Sequence, residues 1–352
     1  MSIQVKTFLE TATRAHASDI FIVAGLPLTY KVNGTLHSEG ERLMPADTED
    51  LIRQIFELDK RPIQHFLESG DDDFSFAIPG LSRFRVSTYK QRGSLAAVIR
   101  IIAFELPDPN DLGIPSSVLN LTDVTKGMIL VTGPAGSGKS TTLSCLVDRI
   151  NSSRQDHIIT LEDPLEFLHR HKKSIVSQRE IATDTDNYLT ALRAALRQSP
   201  DVILLGEMRD HETIQTAMTA AETGHLVLSS LHTIGAANTI SRIIDVFDPS
   251  QQHQIAVQLS MVLRAVVSQQ LVPAIDGGMV PAFEIMIMTP AISNMIRDNK
   301  THQIEGIIYT SAKDDMISMD NSLLRLYKEG KITKETALQY STNPDMLKKK
   351  LM

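Results

Sequence analysis

Eight residues, Gly133-Pro134-Ala135-Gly136-Ser137-Gly138-Lys139-Ser140, carry the clearest chemistry in this chain of 352 residues. Three glycines let the backbone curl so that successive N–H groups converge on an anion, and a helix starting there adds partial positive charge. Lys139 is spaced to reach the outer phosphates of a nucleoside triphosphate and Ser140 to offer its hydroxyl to Mg²⁺, with Thr141 counted in the same cradle. A glycine turn that merely caps a helix is the plainer alternative.

Context decides between them. Met128-Ile129-Leu130-Val131 reads as a buried strand entering the loop, and Leu143, Leu146, Val147 and Ile150 mark a helix leaving it. Other apolar runs also end in polar groups. Val202-Ile203-Leu204-Leu205 leads to Gly206-Glu207, which makes Glu207 a candidate carboxylate for Mg²⁺, directly or through water. Ligands of open α/β sheets gather at that end of the strands. Ile158-Ile159-Thr160-Leu161 leads to Glu162-Asp163-Pro164-Leu165-Glu166, three carboxylates of which one would polarise the attacking water. The residues themselves do not choose among the three, and a solvated acidic turn is the alternative. A third run, 226–231, leads to His232 and follows His225, so the pair is either phosphate-sensing or structurally hydrogen-bonded.

The elements that must position these groups divide the chain. Helices are expected over 2–15 (with Ile3 among the apolar positions), 48–57 and 61–68. Strands are expected over 19–23, 28–32, 73–78, 84–89 and 95–102, with hairpin chemistry at Val32-Asn33-Gly34-Thr35. Residues 1–106 therefore read as a small α+β domain, and the breaker-rich 107–113 as a linker. Strands over 157–161, 174–177, 202–205 and 226–229 alternate with helices over 187–198, 210–221 and 236–244, which predicts a largely parallel sheet within 114–289. Residues 290–352 read as helical, with Met286, Met288, Met295, Met316 and Met319 filling core or helix seams.

A net charge of −7 with only two short basic patches, 169–173 and 348–350, argues against a nucleic-acid motor. The patches read as a solvated hairpin tip and a frayed end. No apolar run approaches the ~20 residues of a membrane span, and the first residues lack an export pattern, so the cytoplasm is expected. The single cysteine, Cys145, allows neither an intrachain disulfide nor a cysteine-rich zinc site and reads as a buried, inert thiol.

Together these segments resemble the bacterial secretion ATPase superfamily, and within it the type IV pilus retraction ATPases of the PilT family, over nearly the whole chain. The likeness runs through Ala17-Ser18-Asp19-Ile20, Ala24-Gly25-Leu26-Pro27, Arg83-Phe84-Arg85-Val86, the phosphate loop and Leu161 to Phe167. It continues through Gly206-Glu207-Met208-Arg209-Asp210, the run from Ala221 to Thr233, and Ala291 to Asp298. The resemblance implies a RecA-like P-loop core with a PAS-like α+β domain before it and a helical portion after it. It implies Glu166 as catalytic base, Glu207 supporting magnesium and water, and His232 near the γ-phosphate with His225 at the same strand edge. It further implies Arg85 and Arg100 as first-domain arginines that reach the triphosphate. ATP and Mg²⁺ are the implied cofactors. The implied partners are five further copies in a homo-hexamer, an inner-membrane platform protein and a paralogous retraction ATPase, with no nucleic acid and no zinc. Pilus-extension and type II secretion ATPases carry an additional N-terminal domain and a four-cysteine zinc element, and neither is found in this sequence, which favours retraction over assembly.

Overall fold

Two kinds of apolar patterning build two different sheets. The computed structural model describes residues 4–32, 34–102, 106–311 and 315–351. They form two units, Met1–Glu105 with Glu166–Leu168, and Leu106–Leu165 with His169–Met352.

Period-2 alternation makes the first unit. Its strands are β1 (Asp19–Ile22), β2 (Leu28–Val32), β3 (Thr35–Glu39), β4 (Asp71–Ile78), β5 (Ser82–Gln91) and β6 (Ser94–Ile102), in the order β3-β2-β1-β6-β5-β4. Every pairing is antiparallel. One face buries Phe84, Val86, Ile99 and Ile20 with Phe8 and Leu9 of the helix Val5–Arg14 and Leu51, Ile55 and Phe56 of the helix Pro45–Leu58. Arg85 and Arg100 alternate out of that core as register partners across β5 and β6. Strand β3 is absent from the sequence reading because all five of its residues are exposed, so no buried periodicity marks it. Val32 pairs with Thr35 across the expected hairpin, whose Asn33, like Ile3, lies outside the described residues.

Continuous apolar runs make the second unit's sheet. Its strands are β7 (Gly127–Thr132), β8 (His157–Glu162), β9 (Ile175–Glu180), β10 (Val202–Leu205), β11 (Leu226–Leu231), β12 (Leu263–Pro273) and β13 (Met279–Ile287). The order is β13-β12-β7-β11-β10-β8-β9, parallel except for the antiparallel β12–β13 pair. Parallel strands are covered on both faces, which is why they read as unbroken hydrophobic stretches. In β7, Met128 and Leu130 face the layer built by the helices Tyr188–Ala195, His211–Glu222, Ala236–Asp245 and Pro249–Val262. Ile129 and Val131 face the opposite layer, with Leu143, Leu146, Val147 and Ile150 of the helix Lys139–Ser153. This is a RecA-like α/β arrangement.

Beyond Pro290 the described residues are mostly helical, ending in Met319–Lys328, Lys334–Gln339 and Pro344–Lys350. Asp320 holds the turn before the last helix, accepting from the Thr342 N–H at 2.8 Å and the Asn343 N–H at 3.1 Å. Met286, Met316 and Met319 are buried, and Met288 and Met295 pack against the core. The strands β12 and β13 and the helix Pro249–Val262 were not anticipated. Ser268, Gln269 and Gln270 interrupt the apolar run of β12, yet all three are buried. The two basic patches are largely exposed as expected but differ in form, since the first joins the parallel strands β8 and β9 and is no hairpin tip. Lys348–Lys350 is the last turn of a helix, not a frayed end. The 169–173 segment is tied to the helix Lys139–Ser153, with Asn151 donating to the Arg170 carbonyl at 2.8 Å and Lys172 paired to Asp148 at 2.7 Å. Cys145 is buried on that same helix, and burial, aided by Asp148 and Asp108, pushes its thiol up to about 11.

Candidate active site

Strands β7, β11, β10 and β8 lie side by side and end at one edge, and each delivers a polar group there. Register fixes the alignment: Leu231 pairs with Thr132, Ser229 with Leu205, and Leu205 with Leu161. Backbone hydrogen bonds then continue past the strand ends, from the Gly133 N–H to the Leu231 carbonyl at 3.2 Å and from the Gly206 N–H to the Leu161 carbonyl at 2.8 Å. The loop from Gly133, Glu207 and His232 are thereby brought together, with Glu162 ending β8 beside them.

Pro134, Ala135 and Gly136 form the exposed crown of the loop, while Ser137 and Lys139 are buried within it. Gly138, at φ +85°, turns the chain into the helix Lys139–Ser153, which begins without a side-chain cap. Its first N–H groups are therefore left for an anion. Ser140 and Thr141 are half-buried in that first turn.

The Lys139 ammonium donates to the carbonyls of Gly133 at 3.0 Å and Pro134 at 2.9 Å. It also lies 3.4 Å from His232 Nδ1. An ammonium can only donate, so Nδ1 must present its lone pair and the ring proton sits on Nε2. That nitrogen faces Glu207 Oε2 at 3.4 Å, and the other oxygen of Glu207 takes a 2.6 Å ion pair from Arg209. Lysine, imidazole, carboxylate and guanidinium thus form one row of alternating donors and acceptors along the strand edge. Glu207 is mostly buried in it, whereas Arg209 is exposed.

Tyr188 completes the floor. Burial, then the charges of Glu207, Asp163 and Glu162, push its phenol well above the ordinary tyrosine range, so it stays a hydrogen-bond donor. A Cβ added at Gly206 would lie 2.9 Å from the Tyr188 hydroxyl and 3.2 Å from the Leu161 carbonyl. Gly206→Ala is therefore expected to destabilise the second unit by about 1–3 kcal/mol through overpacking. Urea unfolding checks this, and an unchanged midpoint would show that the strand end gives way freely.

The acidic segment is sorted by exposure. Glu162 is buried, whereas Asp163 and Glu166 are exposed, and Glu166 groups with the first unit. Within the first unit, Arg85 and Arg100 line a cavity of about 240 Å³ with Asp19, Asp73 and Ser87. Arg100 Nε donates to Asp19 Oδ1 at 3.1 Å. His225 is not at the phosphate edge. It precedes β11, and the six-residue strand separates it from His232 by roughly 20 Å. Its Nδ1 lies 2.9 Å from the Ala220 carbonyl, so it finishes a helix instead. Tyr188, Arg209, Thr142 and Gln269 are the neighbours that the sequence reading passed over. Arg209 stands two residues after Glu207 and Thr142 directly follows the loop, whereas Tyr188 and Gln269 arrive from distant segments.

The family model for type II/IV secretion system proteins matches residues 1–306. The chain belongs to that family. It is 41% identical to the type IV pilus retraction ATPase PilT of Pseudomonas aeruginosa over 345 residues, 97% of this chain and 99% of that protein. It is 46% identical over 276 residues to a twitching motility protein of Neisseria gonorrhoeae, covering 78% of this chain and 74% of that one. The solved structure of the pilus retraction motor PilT with bound ADP superposes with a TM-score of 0.89 at 44% identity, covering 99% of both chains. Among secretion ATPases, this chain falls in the PilT branch.

Proposed function

We propose that this PilT-family protein hydrolyses ATP with Mg²⁺ and spends the energy on type IV pilus retraction, as a homo-hexamer acting on an inner-membrane platform protein. The observation that carries this reading is the row Lys139–His232–Glu207 set beside an uncapped helix start. The residues fit a triphosphate. Besides the buried ammonium, the buried Ser137 hydroxyl has no hydrogen-bond partner among the described residues. They also fit Mg²⁺, since a Ser140 hydroxyl and a Glu207 carboxylate are hard oxygen donors. When bound, the ion supplies charge to the phosphate oxygens.

In this reading residues 133–141 hold the phosphates and His232 senses the outermost one. Glu207 orients the metal side, and Arg209 keeps its carboxylate in place until then. Glu166 takes the proton of the attacking water. Arg85 and Arg100 answer the charge of the transferring phosphoryl group. A 1–106 domain, a 107–113 linker, a 114–289 core and a 290–352 helical region would be the working parts. Among the described residues no helix is long and apolar enough to cross a membrane. The proposed workplace is the inner face of the cytoplasmic membrane, reached through the pilus machine, where a paralogous ATPase is a further partner.

Deleting the gene and counting surface fibres tests the direction of work. Surplus, non-retracting pili are expected. Bald cells would assign the protein to assembly instead. Salt-sensitive binding to single-stranded DNA with stimulated hydrolysis would move it to nucleic-acid motors.

A further inference from the structure

Two of the loop's glycines, both at positive φ, also lie against one neighbour. A Cβ on Gly133 would lie 2.1 Å from the Gln269 carbonyl oxygen, and one on Gly138 would lie 2.9 Å from Gln269 Nε2. Gln269 is 4% exposed, on β12 directly beside β7, where Ser268 pairs with Thr132. Its Oε1 accepts a 2.7 Å hydrogen bond from the hydroxyl of Thr142, which is 1% exposed in the first turn of the helix that leaves the loop. One buried residue therefore touches the entry of the loop with its backbone and the exit with its side chain.

We propose that Gln269 is the positioning residue of the phosphate loop, and that its hydrogen bond with Thr142 sets how tightly the loop grips the nucleotide's phosphates. The proposal rests on the reading of residues 133–141 as a phosphate cradle. An amide is planar, so once Oε1 is fixed by Thr142, Nε2 is fixed on the Gly138 side. Without the hydroxyl, a buried amide oxygen loses its partner, and the amide gains reason to turn or withdraw. The loop then loses its template at the point where the helix begins. Neither residue touches phosphate through its side chain; both act through the backbone they hold.

The test uses the full chain with ADP and Mg²⁺, reading the ADP dissociation constant and, separately, the melting midpoint without nucleotide. Thr142→Val is expected to weaken ADP about tenfold, the scale of one buried hydrogen bond. Thr142→Ser, which returns the hydroxyl, is expected to recover the affinity, and Gln269→Leu to match Thr142→Val. If Gln269→Leu does not fold, the threonine pair still decides. A folded Thr142→Val with a lowered midpoint but wild-type ADP affinity would reduce the contact to plain packing and overturn the proposal. Thr142→Ser as weak as Thr142→Val would overturn it too. Wild-type protein that binds no ADP would refute the cradle itself, a result distinct from either.

Discussion

Lys139→Ala is expected to lower ATP affinity by at least ~100-fold and to leave no measurable hydrolysis, while the fold survives. The ammonium is buried, and its protons are shared between the Gly133 and Pro134 carbonyls, with His232 Nδ1 just beyond. Those are hydrogen bonds to a charged group, each worth about 1.5–3 kcal/mol. A triphosphate would offer the same ammonium anionic oxygens in place of neutral carbonyls, which strengthens the contact further. Alanine removes the only side-chain cation buried within the loop and leaves an anion facing carbonyl oxygens. Titration calorimetry with ATP measures the first effect, and phosphate release the second. The thermal midpoint without nucleotide checks folding, because the helix still packs through Leu143, Leu146 and Ile150. Wild-type affinity in this variant would remove the loop from the mechanism.

Glu166→Gln is expected to behave in the opposite way, keeping ATP affinity within about twofold and losing roughly 10²–10⁴ in turnover, the range of a general base. Glutamine preserves size and hydrogen-bonding shape but does not take up a proton at neutral pH. Exposure sets Glu162 apart from Asp163 and Glu166. Glu162 is buried at the end of β8, in register with the buried Glu180, where it has little access to solvent for passing on a proton. Glu166 is exposed, so a proton it accepts can pass to solvent between turnovers. Single-turnover and steady-state phosphate release measure the rate, and nucleotide binding is measured on the same preparation. If Asp163→Asn stalls hydrolysis and Glu166→Gln does not, the base is Asp163.

Much of the candidate site was legible because it is local. The phosphate loop, its entering strand and its leaving helix are contiguous, and β10 spans the same Val202–Leu205 that its apolar run marks. Strands covered on both faces announce themselves by composition alone. What stayed hidden depends on contacts distant in sequence. Gln269 lies 127 residues from Thr142, and Ser268 spends its hydroxyl on the Gly235 N–H at 2.9 Å. In β12 these polar side chains look like a broken strand until their partners are known. Glu284 on β13 is a similar case, a buried carboxylate that accepts from the Ala236 N–H at 2.8 Å and holds the start of a helix. His225 misled for the converse reason. Its position next to an apolar run was visible, but it precedes β11, and in a parallel sheet the phosphate loop lies at the other end of the strand. The exposed strand β3 had no apolar rhythm to betray it.

The lone thiol has a practical consequence. With Cys145 enclosed and held protonated at neutral pH, maleimide dyes find no native target on this chain. Cysteines introduced at exposed positions such as Glu57 in one unit and Gln251 in the other would then be the sole labelling points. Fluorescence energy transfer between such a pair would report whether the distance between the two units changes during ATP hydrolysis, without first engineering away a native cysteine.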